Sequence, residues 1–160
     1  MQIENEYFNI KQKIEIEKTK NSPLYISCMK GDYKECVRLI KSGEDVNKRG
    51  ENNNTPLIVS CEFRRNQIAK LLIQNGANVH IVNNCGGNAL HKASFTGLIS
   101  ILPLLFEKGI DINTQDKQHG NTPLHKACEY NQKDSAKYLI SIGADSSIRN
   151  HVVITLIFMI

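Results

Sequence analysis

The strongest constraint on this chain is a segment of about 33 residues that occurs four times in succession. Each copy opens on the same leucine, and a second marker, a glycine, recurs in step with it. The leucines are Leu24, Leu57, Leu90 and Leu124, and the glycines are Gly43, Gly76, Gly109 and Gly143. Both markers advance by 33, 33 and 34 residues. A constant period of this length is typical of arrays in which each unit packs on its neighbours.

Each copy contains the signals for two short helices joined by a turn. In the fourth copy Thr122 is a good N-cap and Pro123 suits the first helical turn. Small residues, a turn position and a more apolar helix follow, and the recurring glycine ends that helix. Helices this short are not stable alone, so the pattern predicts stacked units with one continuous apolar layer.

Two positions depart from this pattern. The turn position holds Gly31, Gly97 and Asn131 in three copies, but Arg64 in the second, and arginine adopts the left-handed conformation less readily. Pro103 falls inside the second helix of the third copy, where it is expected to bend the helix because it lacks a backbone N–H.

The copies resemble the ankyrin repeat. The stretch from Thr122 to Ala127 matches the motif Thr-Pro-Leu-His-x-Ala in full, and Leu90 to Ala93 matches its second half. The ending that starts at Gly76 is similar to the Gly-Ala-Asp-Val-Asn of the family. The resemblance implies an all-α solenoid of helix pairs, with a short β-hairpin finger projecting between units.

The period and the resemblance divide the chain into four central units and two ends. The units span about residues 21–50, 51–82, 83–115 and 116–150. In residues 1–20, apolar residues at helical spacing predict an amphipathic capping helix. The apolar stretch from His151 to Ile160 has three interpretations: the start of a fifth unit, a fold over the fourth, or a surface for self-association.

The resemblance also implies that the chain binds a protein partner, through the groove beside the first helices and through the finger tips. The candidate positions at the ends of the first helices are Met29, Lys30, Glu62, Phe63, Phe95, Thr96, Glu129 and Tyr130. The candidate finger-tip residues are Glu51, Asn52, Asn84, Cys85, Gln118 and His119. Exposed aromatic and methionine side chains are favoured anchors for a partner. The alternative is that some of these rings pack against neighbouring helices.

Several classes of function find no support in the sequence. It contains no phosphate-binding loop, nucleophile elbow or His-Glu-x-x-His pair, so we expect no enzymatic activity. The resemblance gives His91 and His125 a structural role. Cys28, Cys61 and Cys128 share one repeat position about 10 Å apart, too far for zinc or a disulfide. We therefore expect neither a metal nor a cofactor.

Charge and hydropathy further restrict the kinds of partner that the chain is expected to bind. The net charge of +4 is spread along the chain and forms no basic stripe, which disfavours nucleic acid. Since no apolar run approaches about 18 residues, no membrane span is predicted. With no signal peptide recognised, the expected location is the cytoplasm, with the nucleus as the alternative. Two functions remain: an adaptor, scaffold or inhibitor that binds proteins, or a targeting or regulatory piece of a larger protein or enzyme.

Overall fold

The computed structural model describes residues 21–151, which form an array of four helix pairs. The α-helices of this range are α1 (Pro23–Lys30), α2 (Tyr33–Lys41), α3 (Pro56–Glu62), α4 (Asn66–Gln74), α5 (Ala89–Thr96), α6 (Leu102–Glu107), α7 (Pro123–Glu129) and α8 (Lys133–Ser141). The capping helix predicted within residues 1–20 and the interpretations of residues 152–160 lie outside the described residues.

The helices form two layers. The first helices of successive units, α1, α3, α5 and α7, pack side by side, and each also packs against the second helix of its own unit. The marker leucines lie between the layers, where they are at most 2% exposed. The stack thus buries one continuous core, as the repeat pattern predicts.

The first helices begin as their cap residues predict. Ser22, Thr55, Asn88 and Thr122 each accept a hydrogen bond from the backbone N–H three residues later. In the third and fourth units that residue is histidine, whose ring contacts the N-cap backbone in return and completes a capping box.

The turn between the paired helices has the same conformation in all four units. Its central residue has a positive φ of 85° at Gly31, 56° at Arg64, 70° at Gly97 and 55° at Asn131. Arg64 thus adopts the left-handed conformation despite its side chain. The next residue donates its backbone N–H to the preceding helix in each unit, as Arg65 does to the Ser60 carbonyl at 2.8 Å. This bond closes the helix end.

The second helix of the third unit differs from the expected bent helix. A 3-10 turn over Ile99–Ile101 leads into the short helix α6, which begins at Leu102. Pro103 therefore lies in the first turn of α6, where a missing N–H costs little because the first N–H groups have no partner within the helix. The proline sets the start of the helix and does not bend it.

The fingers are turns, and no strand occurs in residues 21–151. Each is closed by a backbone hydrogen bond across its base, such as Asn83 N–H to the Gly87 carbonyl at 2.9 Å. Neighbouring fingers are joined by one backbone bond, for example from Lys117 N–H to the Cys85 carbonyl at 2.8 Å. The predicted β-hairpin is therefore reduced to a tight turn, because one bond per neighbour does not make a ladder.

Candidate protein-binding groove

A cavity of about 240 Å³ opens between the first helices of the second, third and fourth units and the fingers of the third and fourth. We call it the groove. The side formed by the helices is lined by Glu62, His91, Lys92, Phe95, Lys126 and Tyr130. The side formed by the fingers is lined by Asn83, Cys85, Gly87, Asp116 and Gln118. Because second helices contribute nothing to this lining, the groove belongs to the inner layer and the fingers.

Aromatic side chains border one wall of the groove. The ring centres of Phe95 and Tyr130 lie 4.2 Å apart with an interplanar angle of 75°, an edge-to-face contact that fixes both rings. Tyr130 is nevertheless 47% exposed. Phe63 occupies the same repeat position in the second unit and is 45% exposed, but it is not one of the residues that line the groove. The wall therefore offers apolar surface that no described residue covers.

Charged side chains in and beside the groove form ion pairs. The Lys92 ammonium is 2.7 Å from the Glu62 carboxylate, so units two and three are joined by an ion pair. The Lys126 ammonium is 3.5 Å from Asp116 and 3.7 Å from Glu129. Lys92 and Lys126 occupy the same repeat position, the variable residue of the His-x-Ala motif.

Asp116 is the buried member of this set. Burial by itself would raise the pKa of its carboxyl, but hydrogen bonds from the backbone N–H groups of His119 and Asn121, at 2.8 and 3.3 Å, outweigh it. The nearby Lys126 ammonium acts in the same direction, so the pKa of Asp116 is lowered overall. The carboxylate both closes the finger turn and anchors Lys126.

The structure distributes the predicted partner-binding residues unevenly. Glu62, Phe95, Tyr130, Cys85 and Gln118 line the groove. The other predicted finger-tip residues are exposed: Glu51, Asn52, Asn84 and His119. Three predicted residues at the helix ends are exposed as well: Lys30, Phe63 and Glu129.

Two predicted residues contribute to packing instead. Thr96 is buried, and its hydroxyl donates to the Cys61 carbonyl at 3.0 Å, which ties the third unit to the second. Its side chain therefore lies between helices and does not line the groove. Met29 is half-buried against the core, and its carbonyl accepts two bonds from the Arg65 guanidinium.

Sequence reasoning missed Lys92, Lys126 and Asp116. The repeated lysine after the motif histidine was an available signal, since the same position in two successive units faces the same surface. Asp116 gave no comparable signal because its role depends on the finger turn that brings it to the inner helices.

The histidines of the motif join backbone segments. His91 Nε2 lies 3.0 Å from the Asn121 carbonyl of the next unit, and its ring is buried. Burial lowers the pKa of His91 below its usual value. His125 Nδ1 lies 2.8 Å from the Thr122 hydroxyl. Both imidazoles therefore make structural contacts.

The cysteines contain one contact that the repeat register did not predict. The Cys28 and Cys36 sulfurs lie 3.7 Å apart, both buried, because α1 and α2 of the first unit face each other there. The contact between the thiols and burial raise the pKa of Cys28, and burial raises the pKa of Cys61 to about 12. Thiols with raised pKa are poor nucleophiles and metal ligands.

Residues 21–151 contain neither a metal-binding cluster nor a membrane-spanning helix. No group of three or more His, Cys, Asp or Glu residues in this range is arranged to hold a metal ion. None of the helices described there combines the length and apolar character that crossing a membrane requires.

The chain is similar to proteins built from ankyrin repeats. The family model for ankyrin repeats matches it three times, over residues 3–83, 24–116 and 76–150. It is 36% identical over 140 residues to the putative ankyrin repeat protein FPV031 of Fowlpox virus (strain NVSL), a match that covers 82% of this chain and 40% of that protein.

Two further relatives carry names that describe regulation. The chain is 32% identical to the NF-kappa-B inhibitor cactus of Drosophila yakuba, over 75% of this chain and 24% of the inhibitor. It is 36% identical to protein phosphatase 1 regulatory subunit 27 of Mus musculus, over 52% of this chain and 54% of the subunit. It thus spans less than half the length of the viral protein and of the inhibitor. From the repeat motifs, the paired helices and these matches, the chain belongs to the ankyrin repeat family.

Proposed function

We propose that this chain is a non-enzymatic interaction module, an adaptor, scaffold or inhibitor that binds a protein partner in the groove. The observation that carries the proposal is the aromatic surface of the groove, where Tyr130 is 47% exposed against the half-buried Phe95. Phe63, at the equivalent position of the second unit, is 45% exposed. Aromatic anchors of this kind supply much of the affinity at protein interfaces. The finger tips extend the same surface with polar side chains, as interface rims do.

The names of the relatives support the same kind of function. An inhibitor and a regulatory subunit act on other proteins, and each is similar in sequence to part of this chain. We infer that the chain acts by occupying a partner's surface, and we propose the cytoplasm as the place where it does so.

The experiment begins by capturing binding proteins with the immobilised full chain and purifying the most abundant one. Calorimetry then compares the wild type with the double variant Phe63→Ala, Tyr130→Ala. The matched control is Tyr33→Ala, Phe106→Ala, which removes the same ring types from the outer helices, where they are 42% and 43% exposed.

We expect the groove variant to weaken binding by about tenfold or more, since losing a buried anchor costs at least about 1–2 kcal/mol. The outer variant should bind like the wild type. Equal affinities for all three proteins, or a loss confined to the outer variant, would overturn the groove assignment.

A second candidate is a targeting or regulatory segment within a larger protein. It is supported by the lengths of the relatives, since the viral protein and the inhibitor both extend well beyond the matched region. An antibody against residues 21–151 would test it on the native protein. A band well above the mass of 160 residues supports a larger protein, and a single band at that mass contradicts it.

A further inference from the structure

We propose that Cys28 and Cys36 form a redox-sensitive modification site, at which a hydroperoxide such as hydrogen peroxide converts the two thiols into a disulfide between α1 and α2. The site lies in the first unit, whereas the groove is built from the second, third and fourth. The proposal is therefore independent of the partner that the groove would bind.

The two sulfurs of this site are already in contact. They lie 3.7 Å apart, and both cysteine side chains are fully buried where α1 faces α2. A disulfide requires about 2.05 Å between its sulfurs. The sulfurs therefore have to approach one another by about 1.7 Å, which is within the reach of small adjustments of both side chains.

The other three units lack the second thiol of this pair. The repeat positions equivalent to Cys28 hold Cys61, Ser94 and Cys128, and those equivalent to Cys36 hold Ala69, Leu102 and Ala136. Cys61 and Cys128 thus share the position of Cys28 without a cysteine at the position of Cys36. They provide comparisons for a thiol of the same kind outside the pair.

The contact makes the two thiols chemically unequal. Contact with the Cys28 thiol lowers the pKa of Cys36, although burial and the carboxylates of Asp32 and Glu35 act in the opposite direction. The same contact raises the pKa of Cys28, and burial adds to that effect. Cys36 is therefore the thiol that ionises first, and a thiolate is the form that a peroxide oxidises.

The oxidation consists of two steps. The Cys36 thiolate attacks one oxygen of hydrogen peroxide, the O–O bond breaks, and hydroxide leaves, so Cys36 becomes a sulfenic acid. The Cys28 sulfur then attacks the Cys36 sulfur, the S–O bond breaks, and the Cys28 proton leaves with that oxygen as water. Overall, two thiols lose two electrons and two protons to one peroxide, which yields a disulfide and two molecules of water.

Because both sulfurs are buried, the peroxide reaches them only when one helix opens. Of its nine residues α2 buries Cys36 and Leu39, whereas α4, of the same length, buries four. The end of α1 is held by the second unit, since the Arg65 guanidinium donates to the Met29 carbonyl at 3.2 and 3.3 Å. Elements that bury few apolar side chains open locally at low cost, so α2 is the helix that opens.

A disulfide at this site would fix α1 to α2 across the turn at Gly31. It would restrict the unfolded chain, so the oxidised chain is expected to be more stable than the reduced one. In the cytoplasm, which is the location proposed above, disulfides are usually transient and serve redox sensing or catalysis. The bridge would therefore stabilise the first unit under oxidising conditions and would be removed by reduction.

The test treats the reduced full chain with hydrogen peroxide under native conditions, removes the peroxide with catalase, and blocks the remaining thiols with N-ethylmaleimide in urea. Trypsin cleaves after Lys30 and Lys34, so the bridge would join peptide 21–30 to peptide 35–38. Mass spectrometry measures the linked peptides before and after treatment with dithiothreitol. Cys36→Ser removes the pair, whereas the matched control Cys61→Ser removes a buried thiol from the repeat position of Cys28 and leaves the pair intact.

We expect the linked peptides in most molecules of the wild type and of Cys61→Ser. In urea unfolding, oxidation should lower the unfolding equilibrium constant of the wild type by about tenfold or more, and reduction should restore it. Peroxide should leave that constant unchanged in Cys36→Ser.

Three results would overturn the proposal: no linked peptides from the native chain, a bridge from Cys28 to Cys61 or Cys128 in their place, or a higher unfolding constant after oxidation. Because the wild type is compared with itself before and after reduction, these results do not depend on the folding of either variant.

Discussion

At the scale of single residues, Gly31 shows how a turn in one unit depends on a side chain of the next. Its φ is 85°, and the Arg65 guanidinium passes close to its Cα while bonding to the Met29 carbonyl. A Cβ at Gly31 would lie 2.9 Å from Arg65 Nε. Glycine is therefore required twice here, once for the backbone conformation and once for the approach of the arginine.

Gly43 separates these two requirements. Its φ is 89°, but a Cβ there would meet nothing within 4 Å. We expect Gly43→Ala to cost about 1–2 kcal/mol for the left-handed conformation alone. Gly31→Ala should cost about 1 kcal/mol more, because it also displaces the Arg65 hydrogen bonds. Urea unfolding measures both, and equal losses would show that Arg65 contributes nothing.

At the scale of helices and turns, capping side chains and left-handed residues set where the short helices begin and end. The first helices start at side-chain caps, and a left-handed residue separates them from the second helices. The third unit shows how far tertiary packing overrides local preference. Its second helix divides into a 3-10 turn and the short α6, yet Ile101 and Leu102 are both fully buried.

Thr122 provides the test of capping at this scale. Its hydroxyl accepts the His125 N–H at 3.3 Å and also lies 2.8 Å from the imidazole Nδ1, in a fully buried position. We expect Thr122→Ala to lower the free energy of unfolding by about 1–2 kcal/mol. Thr122→Ser retains the hydroxyl and should lose clearly less. The prediction is contradicted if thermal melting finds the two variants equally unstable.

At the scale of the whole molecule, the units are held together by contacts between nearest neighbours. The Thr96 hydroxyl bonds to the Cys61 carbonyl, the fingers share backbone bonds, and His91 contacts the Asn121 carbonyl. The marker leucines add a continuous apolar layer. Stability is therefore close to a sum of units and interfaces, and one buried group at an interface affects the whole array.

His91 makes that stability depend on pH. Burial lowers its pKa in the folded chain below the value of about 6.5 expected when unfolded. Above that unfolded pKa both states are neutral and stability is fully present. As the pH falls below it, the unfolded chain gains a proton that the folded chain resists, so the free energy of unfolding decreases by up to about 1.4 kcal/mol per pH unit.

Urea midpoints measured between pH 7.5 and 5 would test this dependence, with His91→Gln as the comparison. The variant should be less stable at pH 7.5, because it changes the contact with Asn121, but its stability should fall less as the pH decreases. If the wild type and the variant lose stability in parallel, another group causes the dependence.

Much of the fold was predictable because it repeats. Cap residues, left-handed turns and apolar spacing are local signals of helix starts, helix ends and the buried face. Because each signal recurs at the same position in four copies, the prediction does not depend on any one copy. The groove was predictable only in part. The exposed rings Phe63 and Tyr130 followed from repeat position, whereas the buried Asp116 and the contact between Cys28 and Cys36 did not. The repeat pattern predicts which elements are neighbours, but it does not show which side chains meet between them.

The sequence by itself determined the family, the period, the start of each first helix and the position of the core leucines. These follow from backbone preferences and apolar spacing, which act over a few residues. Only the tertiary structure decided that Thr96 packs between units and that Lys126 is shared between two carboxylates. The reason is physical: burial and charge pairing depend on which units meet in space, and the groove exists only once three units are stacked.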